Sequence, residues 1–268
     1  MPKSAQSLRL TDRYSRQLAT TAARVARIAK GRWNLAPEDF DGSYSTWLDA
    51  VVPVVTSAQR SNERLTTAYL TAFIASETGK RPRLKKVDSV AGLSRDGRPL
   101  REAWDSPPIK AKVVVGDGGT VEQASAEART AALRLADLDT YYGARGPMSA
   151  LLTAVAAIEG YTRVAGGNAC GACLGAADGT VFSSDEVFQF HANCDCVAEP
   201  VLIGDPGTVT RPSGQEIFND LPEAEQDRRL GEKAAEAVRG GLPLSSLVGE
   251  AHMDNEADWI TQKPLAAL

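Results

Sequence analysis

Apolar residues recur at helical spacing near the start of the chain. Tyr14, Leu18, Ala22, Val25 and Ala29 form one stripe between Arg9 and Lys30, which predicts a long amphipathic helix. Its other face carries Arg9, Arg13, Arg16, Arg24 and Arg27, with only Asp12 nearby to offset them. A loop over Asp39-Phe-Asp-Gly-Ser-Tyr leads into a second helical segment, from about Ser45 to Glu77. Pro53 is expected to bend that segment, because a proline removes one backbone donor and crowds the preceding turn. Beyond it, Leu65, Ala68, Tyr69, Ala72 and Phe73 predict an apolar seam. Glycines and prolines then break the pattern from 88 to 120, marking a connection. Within it, Ile109 to Val115 reads as a strand and Thr120 as the cap of the next helix. Two alanine-rich helices follow, Val121 to Tyr141 and Met148 to Glu159, divided by a turn at Gly143-Ala-Arg-Gly-Pro. Helices so joined are expected to pack antiparallel.

Short strands at Gly160 to Val164 and Val197 to Ile203 flank the remaining motif. A linker from Gly204 to Ser213 is followed by Glu216 to Leu221 and two short helical pieces, Glu223 to Leu230 and Glu232 to Arg239. The expected tail, Trp259-Ile-Thr-Gln-Lys-Pro-Leu, docks on the body or on a partner. The fold class is thus α+β and mostly α: a helical body, a small β-hairpin with a zinc-knuckle-like Cys/His module, and a short helical C-terminal region. The expected divisions are 1–87, with the basic arm; 88–203, the helical pair and the Cys/His module; and 204–268. Sparse aromatics, at 6%, and abundant alanine favour helices packed through small residues. A net charge of −4 argues against a protein that coats nucleic acid over its whole surface. No apolar run has the length to span a bilayer, and Met1-Pro-Lys-Ser lacks the apolar core of a secretion signal. A reducing cytoplasm is the expected setting.

All four cysteines lie in one stretch, as Cys170-Gly-Ala-Cys173 and His191-Ala-Asn-Cys194-Asp-Cys196, with one of the two histidines. Clustered thiols in a reducing compartment point to a metal more than to disulfides or free thiols. Zinc suits such donors. Cys170, Cys173, His191, Cys194 and Cys196 compete for four positions, as four thiolates or as three with His191. Either set is closed, which points to a structural ion. The local carboxylates Asp178, Asp185, Glu186 and Asp195 stand in no catalytic spacing, and His252 sits in an acidic turn. The His-x-Glu of zinc deaminases is missing, as are a Gly-x-Ser-x-Gly elbow and the HExxH and Walker motifs. No enzyme activity and no small-molecule substrate are expected. The arginine face reads either as a plain solvated helix surface or as an arm that meets an acidic surface, nucleic acid or protein.

The order CxxC, Gly179-Thr-Val-Phe182, His191-x-Asn-Cys194-x-Cys196 and Pro200-Val201 resembles the MuF-like phage head-morphogenesis family. The likeness is strongest over residues 160–203. Ala192 and Asp195 stand where the family often has proline and arginine. The resemblance implies a minor capsid protein of a tailed bacteriophage, with a structural or assembly role at the portal or procapsid interior. Its expected partners are portal, capsid or scaffold proteins, with packaged DNA meeting the arginine arm and no membrane contact. It would reside in the phage head, and in the host cytoplasm during assembly. A zinc-stapled nucleic-acid-binding protein is the alternative, and a metal-dependent nuclease or hydrolase a more distant one.

Overall fold

In a computed structural model the protein is mostly α, with one small sheet. The structure describes residues 4–36, 39–186, 188, 191, 194–204 and 211–247. Helices α1 (Ala5–Gly31), α2 (Phe40–Thr78), α3 (Leu100–Ala103), α4 (Ser106–Gly116) and α5 (Val121–Ala154) come first. Strand β1 (Ile158–Val164), helix α6 (Gly171–Gly175), β2 (Val181–Ser183) and β3 (Val197–Leu202) follow. Helices α7 (Gly214–Asn219), α8 (Glu223–Leu230) and α9 (Glu232–Arg239) and a 3₁₀ turn at Leu244–Leu247 complete the order. No helix of the described residues is long and apolar enough to cross a membrane.

The chain folds as two units, each built from separated segments. A helical unit comprises Arg16–Ala68 and Lys86–Met148; a mixed unit comprises Met1–Ser15, Tyr69–Lys85 and Ser149–Leu268. The predicted stripe of α1 is buried, and within the helical unit Val25 and Ala29 join Tyr44, Trp47, Val51 and Val55 of α2. Trp104 closes this core, fully buried, with its ring centroid 6.0 Å from that of Trp47. Its indole N–H donates to Asp139 Oδ2 at 2.6 Å, and its carbonyl accepts from the Tyr44 hydroxyl. Burial pushes the Asp139 carboxyl up to about 6, against the hydrogen bonds from Trp104, Arg95 and Ser94 that favour the charged form.

Four expectations are corrected here. Ile109 to Val115 is not a strand but most of α4. Pro107 and Pro108 occupy its first turn, where a missing N–H has no helical partner to lose. Ala111 then packs against Ala124 and Ala128, and the helical unit has no strand among the described residues for it to pair with. The two alanine-rich helices are one, since α5 runs unbroken through Gly143 and Pro147. At Gly143 a methyl group would lie 2.4 Å from Gln59 Cα, so glycine there permits α2 to approach closely rather than making a turn.

The seam of α2 is also rotated from the expected one. Ala68 is exposed, while Tyr69, Leu70, Phe73 and Ile74 are buried. Gln59, Asn62 and Thr66 continue the buried face within the helical unit. They donate to the carbonyls of Asp139, Thr140 and Ala144 in α5, at 2.9, 2.8 and 3.4 Å. Polar side chains are tolerated at such positions when a partner meets them. The expected loop at 39–44 is shorter, because α2 already starts at Phe40. Elsewhere the expected helix α1, the cap at Thr120 and helices α8 and α9 are found, with the Thr120 hydroxyl accepting from Gln123 N.

In the mixed unit the strand order is β2-β1-β3, antiparallel throughout. Tyr161 of β1 faces Phe182 of β2 and Pro200 of β3. The three-residue β2, which turns the expected hairpin into a sheet, falls on the glycine-aromatic element of the motif. Tyr14 stacks on Tyr69 at 4.3 Å, and the Tyr69 hydroxyl bonds Thr11 at 2.9 Å. Arg211 joins Glu199 of β3, at 2.9 Å, to Asp12 and the Leu8 carbonyl of α1. The tail from Trp259, and His252, lie outside the described residues.

Candidate metal centre

The cysteine motif wraps one end of the β1–β3 pair. Cys170 is the residue before α6, in extended conformation, and Cys173 lies within its only turn. A spacing of three on a helical turn sends both thiols to one side. The tight placement of α6 depends on two glycines. A methyl group on Gly171 would meet Leu230 Cδ1 at 2.7 Å, and one on Gly214 would meet the Leu174 carbonyl oxygen at 1.7 Å. From the other direction, Cys194 N donates to the His191 carbonyl, and Cys196 leads straight into β3.

These elements bring all five predicted donors together. Cys170, Cys173 and His191 form one group, and Cys173, Cys194 and Cys196 another; within each, the ligand atoms lie within 4.8 Å of one another. Cys173 belongs to both. His191 Nε2 is 3.1 Å from the Sγ atoms of Cys170 and Cys173, and Cys173 Sγ is 3.5 Å from Cys194 Sγ. The thiols are unoxidised, with Cys173, Cys194 and Cys196 fully buried and Cys170 partly so. Three or four sulfurs with an imidazole nitrogen, turned toward each other away from water, can hold a metal ion.

The protons in the cluster are unevenly shared. The hydrogen bond with Cys173 draws the Cys170 thiol down to about 4, with help from His191 and against burial. That same bond pushes the Cys173 thiol up, as do its contacts with Cys194 and Cys196 and its burial. A cation binding among these donors would release thiol protons.

Two arginines that the spacing of the motif did not single out support the site. Arg163 of β1 is buried, with its guanidinium 4.3 Å above the centre of the Phe188 ring. Burial works against its charge, but Cys196, Cys194 and Cys173 raise its pKa overall. Its burial, shared with Gly160, Tyr161 and Thr162, is a property of the folded strand with no local signal in the sequence. Arg229 of α8 donates to the carbonyls of Ala169 and Gly167, both at 3.0 Å, and pairs with Glu225 at 2.8 Å. It thereby fixes the loop that presents Cys170. No sequence signal separated it from Arg228 beside it.

The nearby carboxylates serve turns. Asp195 Oδ2 accepts from Asn168 N at 3.0 Å, and a methyl group on Gly166 would collide with that carboxylate at 2.2 Å. Asp178 accepts from Thr180 N, and Asp185 from the Ser183 hydroxyl. Away from the cluster, Arg9, Arg13, Arg16, Arg24 and Arg27 are all exposed on α1. At 3.6 residues per turn they fall within an arc of about 80°. No family model matches this chain, and no curated protein or solved structure matches it.

Proposed function

We propose that this chain is a minor head protein of a tailed bacteriophage, braced by one structural zinc ion. In this reading it serves assembly at the portal or procapsid interior and catalyses nothing. The observation that carries it is the order CxxC, His-x-x-Cys-x-Cys on a sheet end, with the five donors in two groups that share Cys173. That order is the part of the sequence that resembles the MuF-like family. The donors are sulfur-rich and mostly buried, as a closed zinc site requires, and the adjoining carboxylates are engaged in turns. The exposed arginines of α1 supply a surface for acidic partners, whether portal, scaffold or packaged DNA.

Heads purified from infected cells are expected to contain the chain in few copies, with about one zinc per copy by elemental analysis. Charge reversal at Arg13, Arg16 and Arg24 is expected to reduce incorporation while leaving the chain folded. A chain missing from heads, or incorporated equally well after charge reversal, overturns this assignment.

The arginine face also supports a second reading, a zinc-stapled nucleic-acid-binding protein. It requires DNA affinity that falls steeply with salt, because each phosphate contact releases counterions. Deleting residues 1–31 must then abolish binding.

A further inference from the structure

Arg163 occupies a position that the brace alone does not explain. Side chains alternate between the faces of a strand, so those of paired residues and those two apart share a face. Arg163 pairs with Ala198, and Tyr161 with Pro200. Continuing that period one step before β3 brings Cys196 to the same face. The ring of Phe188 covers this face, 5.6 Å from the Tyr161 ring and 4.3 Å from the guanidinium. A cation 6% exposed is therefore held by an aromatic ring on the sheet face that carries a cluster thiol.

Charge arithmetic gives the placement a purpose. A divalent ion with three thiolates and His191 leaves one net negative charge, and with four thiolates it leaves two. A buried uncompensated charge is costly, and a paired one much less so. We infer that Arg163 is the counter-charge of the metal centre, a positioning residue that keeps a thiolate-rich ion site stable where water is excluded. The inference rests on the reading of the cluster as a metal site. Asp195, beside Cys196, accepts from Asn168 N through Oδ2 and is not one of the grouped donors.

The test is anaerobic titration of the full chain with Co²⁺, competed against a chelator, for the wild type, Arg163→Gln, Arg163→Met and Arg163→Lys. Wild type is expected to take up one Co²⁺ with a sulfur-to-cobalt charge-transfer band. Arg163→Gln and Arg163→Met should bind about 10- to 100-fold more weakly, the range found when outer partners of metal ligands are removed. Arg163→Lys, which keeps the charge, should stay within a few-fold of wild type. Thermal unfolding provides the second readout. Arg163→Met, which suits an apolar setting, should melt no lower than wild type when chelated, yet gain less on loading. Undiminished Co²⁺ affinity in Arg163→Gln and Arg163→Met overturns the role. So does an equal loss of melting temperature with and without metal, since that marks plain packing. Wild-type uptake without a sulfur band instead overturns the metal reading itself.

Discussion

The helical unit and the mixed unit are held together by different means. The first buries Tyr44, Trp47 and Trp104 among alanines, with the partly buried Trp33 against them, and meets its buried amides with helix carbonyls across α2 and α5. The second has a three-stranded sheet whose buried positions include Arg163 and Glu199, with sulfurs at one end. Its connections are directional: Arg211 reaching to Asp12 and Glu199, Arg229 to two carbonyls, and two groups of donors that share Cys173. Apolar burial is non-directional and tolerates modest repacking, whereas charged clamps and ligand sets fail when a single partner is lost. The two units should therefore break under different treatments.

Removing the donor common to both ligand groups should have the largest effect. Cys173→Ser is expected to abolish metal binding and unfold the mixed unit, because apparent zinc binding in structural sites reaches about 10 kcal/mol and is coupled to folding. Three of the four tryptophans, Trp33, Trp47 and Trp104, lie in the helical unit. In a Trp259→Phe background their fluorescence should therefore report that unit alone. Loss of circular dichroism with an unchanged fluorescence transition is the expected result; a fluorescence transition shifted to the same degree refutes the separation.

Trp104→Ala attacks the other unit. The cavity and the loss of the indole donor to Asp139 should lower its stability by about 3–5 kcal/mol in urea unfolding, with Co²⁺ uptake unchanged. Reduced metal uptake in this variant would show that the units depend on each other.

Asp139→Asn gives the smallest effect and the one that depends on pH. The folded carboxyl titrates near 6, above its ordinary value of 3.8. Its contribution to stability is therefore fullest below about pH 4 and fades as pH rises through 6. The gap is worth on the order of 2–3 kcal/mol. The stability difference between wild type and Asp139→Asn should move by that amount, in favour of the variant, between pH 4 and 7. A difference that stays constant over this range refutes the burial argument.

Local pattern accounted for the elements whose partners are near in sequence. The stripe from Tyr14 to Ala29 needed only helical spacing, and α8 and α9 only their flanking Pro222, Gly231 and Gly240. The donor set was legible for the same reason, since sulfur chemistry and CxxC spacing are local properties. At Ile109 to Val115 the alternation of lysine and aliphatic residues suited a strand, but the prolines before it and the alanines of α5 beneath it made a helix. Pro147 read as a boundary, yet it lies inside α5.

The chain's residue order determined by itself which atoms can bind an ion, which helices are amphipathic and where arginines line an exposed face. All of these follow from chemistry and spacing within a few turns. Tertiary structure alone decided that Gln59 and Asn62 face inward, that Gly143 marks a close approach rather than a turn, and that Arg163 lies beside the thiols. Each depends on a group tens of residues away. The carbonyls of Asp139 and Thr140, the backbone of Gln59 and the ring of Phe188 reach their positions only once the chain has folded back on itself.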